Sequence, residues 1–306
     1  MPYTPSIALL EDLSPEQFQS LELHSVLNIL NVLSLQLGVL GFEEEPLGKM
    51  RGVMDAMDRF AAAIRTQDVD AFSPAAVEDF QNQVWAVFAE IEEGEGHGER
   101  MGDLSDTREL FEEIFDVMNA RASELALHRK APWAYQRFSI DELRDDFDRF
   151  FSAVEKNSHG RFGITRNIAR QDDATYLIPF EIESDNGDHI EIPLEFKDVL
   201  RDLIANARKY TAPGGIIHAG IHDNGQHITF TVKDNGRGIP EDEIPRVFEY
   251  GFRARNAQDR PSMGGGFGLT KALYVTHHLN GHLEILSRLG LGTTVKAVIP
   301  SAARKD

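Results

Sequence analysis

The chain has 306 residues and no cysteine, which excludes disulfides and thiolate metal sites. It has no apolar run of about 18 residues, so no segment reads as a membrane-spanning helix and no membrane insertion is expected. Basic residues are few, with 31 Lys and Arg against 50 Asp and Glu, and the net charge is −19. Such a chain repels polyanions unless a local basic patch overrides its field, and no Lys/Arg cluster does so. Nucleic acid and anionic lipid are therefore excluded as partners. A small anion is still acceptable, because backbone N–H groups and a metal ion can supply local positive charge. The opening residues, MPYTPSIALLEDLSPEQ, lack the basic start and cleavage pattern of a signal peptide, so cytoplasmic residence is the expectation. A hydrophobic content of 42% is that of a globular protein, and the length suffices for two domains.

Residues 15 to about 130 carry helical periodicity throughout. Four amphipathic segments lie near 15–40, 46–67, 73–92 and 104–129, divided by GFEEEP, by Ser73-Pro74 and by GEGHG. Ser73 suits an N-cap with Pro74 in the first turn. The first pair is expected to form a helical hairpin. Its first helix keeps one narrow polar stripe, Gln17, Ser20, His24, Asn28 and Asn31, on an otherwise aliphatic surface. One hairpin cannot cover so wide an apolar face, so a homodimer through residues 15–67 is predicted, although the helices at 73–129 could complete the bundle within one chain.

After the break at APWAY the pattern changes. Residues 138–156 read as one more helix, capped by Ser139. Three strand pairs follow, around SDNGD, DNGQ and RLGLG, and the Asn-Gly turns predict hairpins because both turn residues need positive φ. The second half thus reads as α+β with an antiparallel or mixed sheet. The division expected is 1–137, a helical domain, and 138–306, an α/β domain.

Four motifs in the second half belong together. DVLRDLIANARKYT (198–211) is an amphipathic helix with Asn206 one turn after Asp202, and Lys209 and Tyr210 at its end. DNGRGIP (234–240) follows a strand, VFEYGFRAR spans 247–255, and GGGFGL (264–269) opens a helix. These residue types suit a nucleotide. Gly264, Gly266 and Gly268 allow close backbone approach to phosphate, and the helix start offers unpaired N–H groups. Asp234 can only accept hydrogen bonds, which fits the exocyclic amino group of adenine, and Gly236 and Gly238 leave room for a flat ring. Asn206 offers an amide oxygen to Mg²⁺, Lys209 reaches phosphates, and Tyr210 can cover the base. Any one motif alone could be a turn, a linker or a solvated helix face; their order and placement argue for a site.

Residues 138–300 resemble the ATP-binding domain shared by histidine kinases, type II topoisomerases and heat-shock chaperones, the Bergerat fold. The asparagine box, both glycine boxes and the GTTV stretch carry the resemblance. Phe248, Phe252 and Arg253 resemble the lid of the histidine-kinase branch. The fold class implied is multi-domain: an all-α N-terminal helical bundle followed by an α/β sandwich. The ligands implied are ATP and Mg²⁺, with Asn206 on the metal, Asp234 on adenine, the glycines on phosphates and Arg253 on the terminal phosphate.

The polar stripe then has an expected use. Histidine kinases carry a phospho-accepting histidine on the exposed face of a dimerising helical hairpin, and His24 has that setting. A neutral imidazole nitrogen is a competent nucleophile near neutral pH. By the same resemblance Asn28 matches a position that aligns water for dephosphorylating a response-regulator receiver. The sequence departs from the family at Ser25, where an acidic residue is usual, and at Asp202, where many kinases carry asparagine. Asp202 could act as a base or as a partner to the metal's ligands. The expected activity is autophosphorylation of His24 and transfer to a receiver aspartate. Two other readings stay open: an ATPase or serine kinase with a structural His24, and a phosphotransfer or regulator-binding scaffold. The intact glycine boxes argue against the scaffold.

Overall fold

In a computed structural model of the chain, the described residues are 2–6, 14, 17, 21, 54–55, 57–62, 73–92, 101–156, 158, 160–258 and 266–302. The chain divides into two compact units: Glu22–Pro132, and Met1–Leu21 together with Trp133–Asp306. The boundary thus falls ahead of the expected 137/138, because the segment after Pro132 opens a strand of the second unit. Residues 1–21, expected with the helical domain, group with the α/β unit. His24, Asn28 and most of the expected first hairpin lie outside the described residues.

In the first unit, α1 (Pro74–Glu92) and α2 (Met101–Lys130) form an antiparallel pair. Ser73 caps α1, its Oγ accepting from the Ala76 N–H at 3.2 Å. Val77, Phe80, Val84 and Phe88 recur at helical spacing and are buried, as are Phe111, Ile114, Phe115, Met118 and Ala122 on α2. Rings join the two helices edge to face, Phe80 with Phe115 at 5.9 Å and Phe88 with Phe111 at 5.3 Å. Such pairs each add about 0.5–1.5 kcal/mol beyond burial.

The second unit begins with β1 (Tyr135–Ser139) and α3 (Ile140–Lys156). Ser139 and Glu142 make a reciprocal capping box, with N–H to side-chain distances of 2.7 and 3.1 Å. Two short strands, β2 (Gly163–Thr165) and β3 (Thr175–Leu177), pair in parallel. The main sheet holds five strands in the order β4-β6-β7-β9-β8: β4 is Phe180–Ser184, β6 Ile217–Asp223, β7 His227–Asp234, β8 His282–Arg288 and β9 Gly292–Pro300. The hairpins expected around DNGQ and RLGLG are present as β6–β7 and β8–β9. The one expected around SDNGD is not. There the turn joins β4 to β5 (His189–Pro193), but β4 pairs in parallel with β6 and β5 pairs antiparallel with β1. Turn chemistry reverses the chain locally, but it does not choose the partner. Strand β1, in a stretch read as a break and a helix start, takes β5 away.

Helices α4 (Leu194–Tyr210) and α5 (Gly268–His278) pack on the sheet together with α3, whose Phe147 ring lies 4.6 Å from Phe180 of β4. Helix α4 buries Phe196, Val199, Leu200, Leu203, Ile204 and Ala207, and Phe196 stacks on Phe230 of β7 at 4.1 Å. Asp146 of α3 receives both Arg201 and Lys197 of α4, cations that are 8% and 5% exposed. Burial pushes the Asp146 carboxyl up, but the two cations outweigh it and hold it below its ordinary range.

Candidate nucleotide site

Helix α4 presents its buried apolar face to the sheet, which leaves Asp202 and Asn206, one turn apart, on another face. That face meets the start of α5. The Gly268 backbone lies so close to Asn206 that an added Cβ would sit 2.5 Å from the amide Nδ2. Glycine there brings the phosphate-loop backbone against the asparagine amide, and any side chain would force them apart. Asp202 faces α5 one turn earlier, where its Oδ2 accepts from Lys271 Nζ at 2.8 Å. Lys271 is 4% exposed, so this is a buried ion pair binding the two helices together. Asp202 is neither a solvated surface acid nor a carboxylate without a counter-ion.

Asp234 ends β7 and is 9% exposed. Its Oδ1 accepts from the backbone N–H of Gly236 at 2.8 Å and of Thr293 at 3.2 Å. Burial pushes the carboxyl above its ordinary range, against the pull of these donors. The following turn is tied to the end of α4, with Arg237 N–H donating to the Tyr210 carbonyl at 3.1 Å. A Cβ at Gly236 would lie 2.5 Å from that carbonyl and 2.7 Å from Thr211 Oγ1, so only glycine fits between the turn and the helix. Gly238 adopts positive φ.

Lys209 lies over the Tyr210 ring at 5.2 Å. Burial, Arg253 and Arg208 together bring its ammonium down to about 8. The pull of Arg253 brings a cation from the segment after β7 near one at the end of α4. Arg253 itself donates to the Ala257 carbonyl at 2.6 Å, and the Arg246 guanidinium covers the Phe252 ring at 4.3 Å. Gly266 packs against the Phe252 and Gly251 backbone. Gly264 lies outside the described residues. The structure therefore gathers Asp202, Asn206, Lys209, Tyr210, Asp234, Gly236, Gly238, Phe252, Arg253, Gly266 and Gly268 within one unit.

Four contributors were not singled out from the sequence. Thr293 supplies a backbone donor, and GTTV as a stretch was the only signal for it. Lys271 sits in the apolar run TKALYV, where a lone charge signals a buried partner. Arg237 donates to the Asn256 carbonyl, and Asn256 Nδ2 donates to the Gly238 carbonyl at 2.9 Å, which bind the turn to the lid segment.

The unit thus joins a mixed sheet, covering helices, a strand-end aspartate and a glycine-flanked asparagine. Residues 191–303 match the family described as histidine kinase-, DNA gyrase B- and HSP90-like ATPase. Among individual proteins, the chain is similar to the sensor protein kinase GraS of Staphylococcus aureus strain Newman, and to GraS of strain USA300, at 30% identity over 162 residues. That match covers 53% of this chain and 45% of either relative, so the chain spans less than half the length of the curated relatives it matches. Among solved structures, a catalytic domain of the histidine kinase ThkA aligns with 56% of this chain and 99% of its own, at 22% identity and a TM-score of 0.41. The mycobacterial sensor histidine kinase MprB aligns with 55% of this chain and 97% of its own, at 22% identity and a TM-score of 0.37. No helix among the described residues is long and apolar enough to cross a membrane.

Proposed function

We propose that the chain is an ATP-dependent protein histidine kinase of two-component signalling. It phosphorylates His24 and passes the phosphoryl group to an aspartate of a response-regulator receiver. The observations that support this reading are the close approach of Gly268 to Asn206 and the burial of Asp234 at the end of β7, in the same unit. Asp234 accepts the adenine amino group. Lys209 and Arg253 offset phosphate charge. Tyr210 and Phe252 flank the base, while Gly264, Gly266 and Gly268 let the loop close on the phosphates. In the transfer, the unprotonated imidazole nitrogen of His24 forms the P–N bond as the bond from γ-phosphorus to the ADP oxygen breaks, and the other ring nitrogen gives up its single proton to solvent.

Asn206 suits Mg²⁺, a hard cation that keeps few protein ligands and binds with substrate phosphates. When bound, it neutralises charge on the phosphates. The pairing of Asp202 with Lys271 favours a kinase over an ATPase, because a carboxylate tied to a buried ammonium is a poor base for water. The reading includes a cytoplasmic homodimer through residues 15–67, with Asn28 aligning water for dephosphorylation of the receiver.

Labelled ATP tests the reading. The expected product is an acid-labile, base-stable label on the full chain, abolished by His24→Gln with nucleotide affinity intact. An acid-stable label, or phosphate release with no label on His24, would move the protein to the serine-kinase or ATPase reading.

A further inference from the structure

Residues 2–6 lie far in sequence from the nucleotide motifs, yet they belong to the same unit. Tyr3 forms an antiparallel bridge to Ile285 of β8, with both backbone bonds made: Tyr3 N–H to the Ile285 carbonyl at 2.7 Å, and Ile285 N–H to the Tyr3 carbonyl at 2.9 Å. Strand β8 is the last in the sheet order, so this bridge satisfies backbone groups on its outer edge. Pro5 is buried two residues on, in keeping with the alternation of an extended segment.

The Tyr3 ring stacks on Phe248, with centroids 6.3 Å apart and planes 25° apart. Phe248 is fully buried at the end of the 3₁₀ segment Glu241–Phe248, in the stretch that resembles the lid of the histidine-kinase branch. Glu249 is held from its other side as well, since its carbonyl accepts from Thr270 Oγ1 of α5 at 3.3 Å. Three residues later come Phe252 and Arg253. One contiguous path of contacts therefore runs from residues 2–6 through Phe248 and Glu249 to the lid and the helix behind the phosphate loop.

We propose that Tyr3 is a positioning residue for nucleotide binding: docked on the β8 edge, it holds Phe248 and so sets where the lid begins. The proposal rests on the nucleotide reading above. It predicts that nucleotide and the docked segment strengthen each other, since coupling between two sites is reciprocal.

The test uses the full chain and Mg-ADP. Hydrogen exchange of the wild type should show the Tyr3 and Ile285 amides slowed by saturating ADP by about fivefold or more, the low end of ordinary coupling. Calorimetry of Tyr3→Ala should show ADP affinity weakened by a similar factor, with faster exchange concentrated in residues 241–258. Tyr3→Phe keeps the ring and should restore both values. Labelled-ATP kinetics should show the loss in KM more than in kcat, because the lid's resting position has changed and not the reacting groups. Unchanged exchange at Tyr3 and Ile285 on binding ADP overturns the proposal even if Tyr3→Ala does not fold. Unchanged affinity in a folded Tyr3→Ala, or equal damage from Tyr3→Phe, also overturns it. Absence of ADP binding by the wild type would instead overturn the nucleotide reading itself.

Discussion

Asp234→Asn separates the cost of holding a buried carboxylate from its use. The two backbone donors, Gly236 and Thr293, both address Oδ1, at 2.8 and 3.2 Å. An asparagine can place its single oxygen there and keep both bonds. Its Nδ2 then occupies the position of Oδ2, the oxygen left for an adenine amino group, and presents a donor to a donor. Losing a hydrogen bond to a charged acceptor costs roughly 1–3 kcal/mol. At 1.4 kcal/mol per tenfold, ADP affinity should fall roughly 5- to 150-fold. Stability without nucleotide should move the other way. The folded-state carboxyl is raised by burial, so its contribution is fully present below the unfolded value, near 3.9, and is lost as pH rises through the folded value. At pH 7 the wild type has lost it, and the asparagine variant has nothing to lose. Urea titration should therefore find the variant more stable at neutral pH, with the gap closing in acid. Calorimetry with ADP and GDP supplies the other half, and the preference for adenine should narrow. Unchanged ADP affinity in a folded Asp234→Asn would refute the assignment of Asp234.

Lys209, brought down to about 8, is charged at neutral pH and loses its charge above about 8, so ADP affinity should decline as pH rises past about 8 and binding should take up a proton there; an affinity flat from pH 7 to 9 would place the phosphates elsewhere. Asp146→Asn leaves two buried cations short of a charge and should destabilise by about 3 kcal/mol in urea titration. Because the Asp146 carboxyl is lowered, its contribution is present above its unfolded value and lost as pH falls through the folded one, so the wild type should approach the variant only in strong acid. Lys271→Met should cost about 3–5 kcal/mol by leaving Asp202 buried and unpaired, and the double variant with Asp202→Asn should recover most of it. Additive losses in that cycle would mean that the 2.8 Å contact carries no coupling.

Much of the site was legible because its residues report on themselves. Asn206 and Asp202 share a helix face by spacing alone. Asp234 follows an alternating strand, and Gly236 stands where only glycine fits. Asp202 shows where such reading stops. As a helix residue it could have been a base, a metal partner or a solvated acid, and the contact with Lys271, almost seventy residues on in the chain, rules out the last. Thr293 was hidden for another reason: it contributes a backbone N–H, which any residue type could supply.

The amino-acid sequence by itself determined what is settled within a few residues. The Ser139–Glu142 capping box, the Ser73 cap, the β6–β7 and β8–β9 reversals and the placing of each motif on helix, strand or loop are of this kind. Local side-chain bonds and turn dihedrals need no distant partner. Tertiary structure alone decided pairing. It set β4 in parallel with β6, gave β5 to β1 in spite of an Asn-Gly turn, closed Lys271 on Asp202 and laid Tyr3 along β8. A strand edge or a buried charge accepts any complementary group. Which one arrives depends on how the apolar faces of segments far apart in the chain bury against one another, and no local pattern encodes that choice.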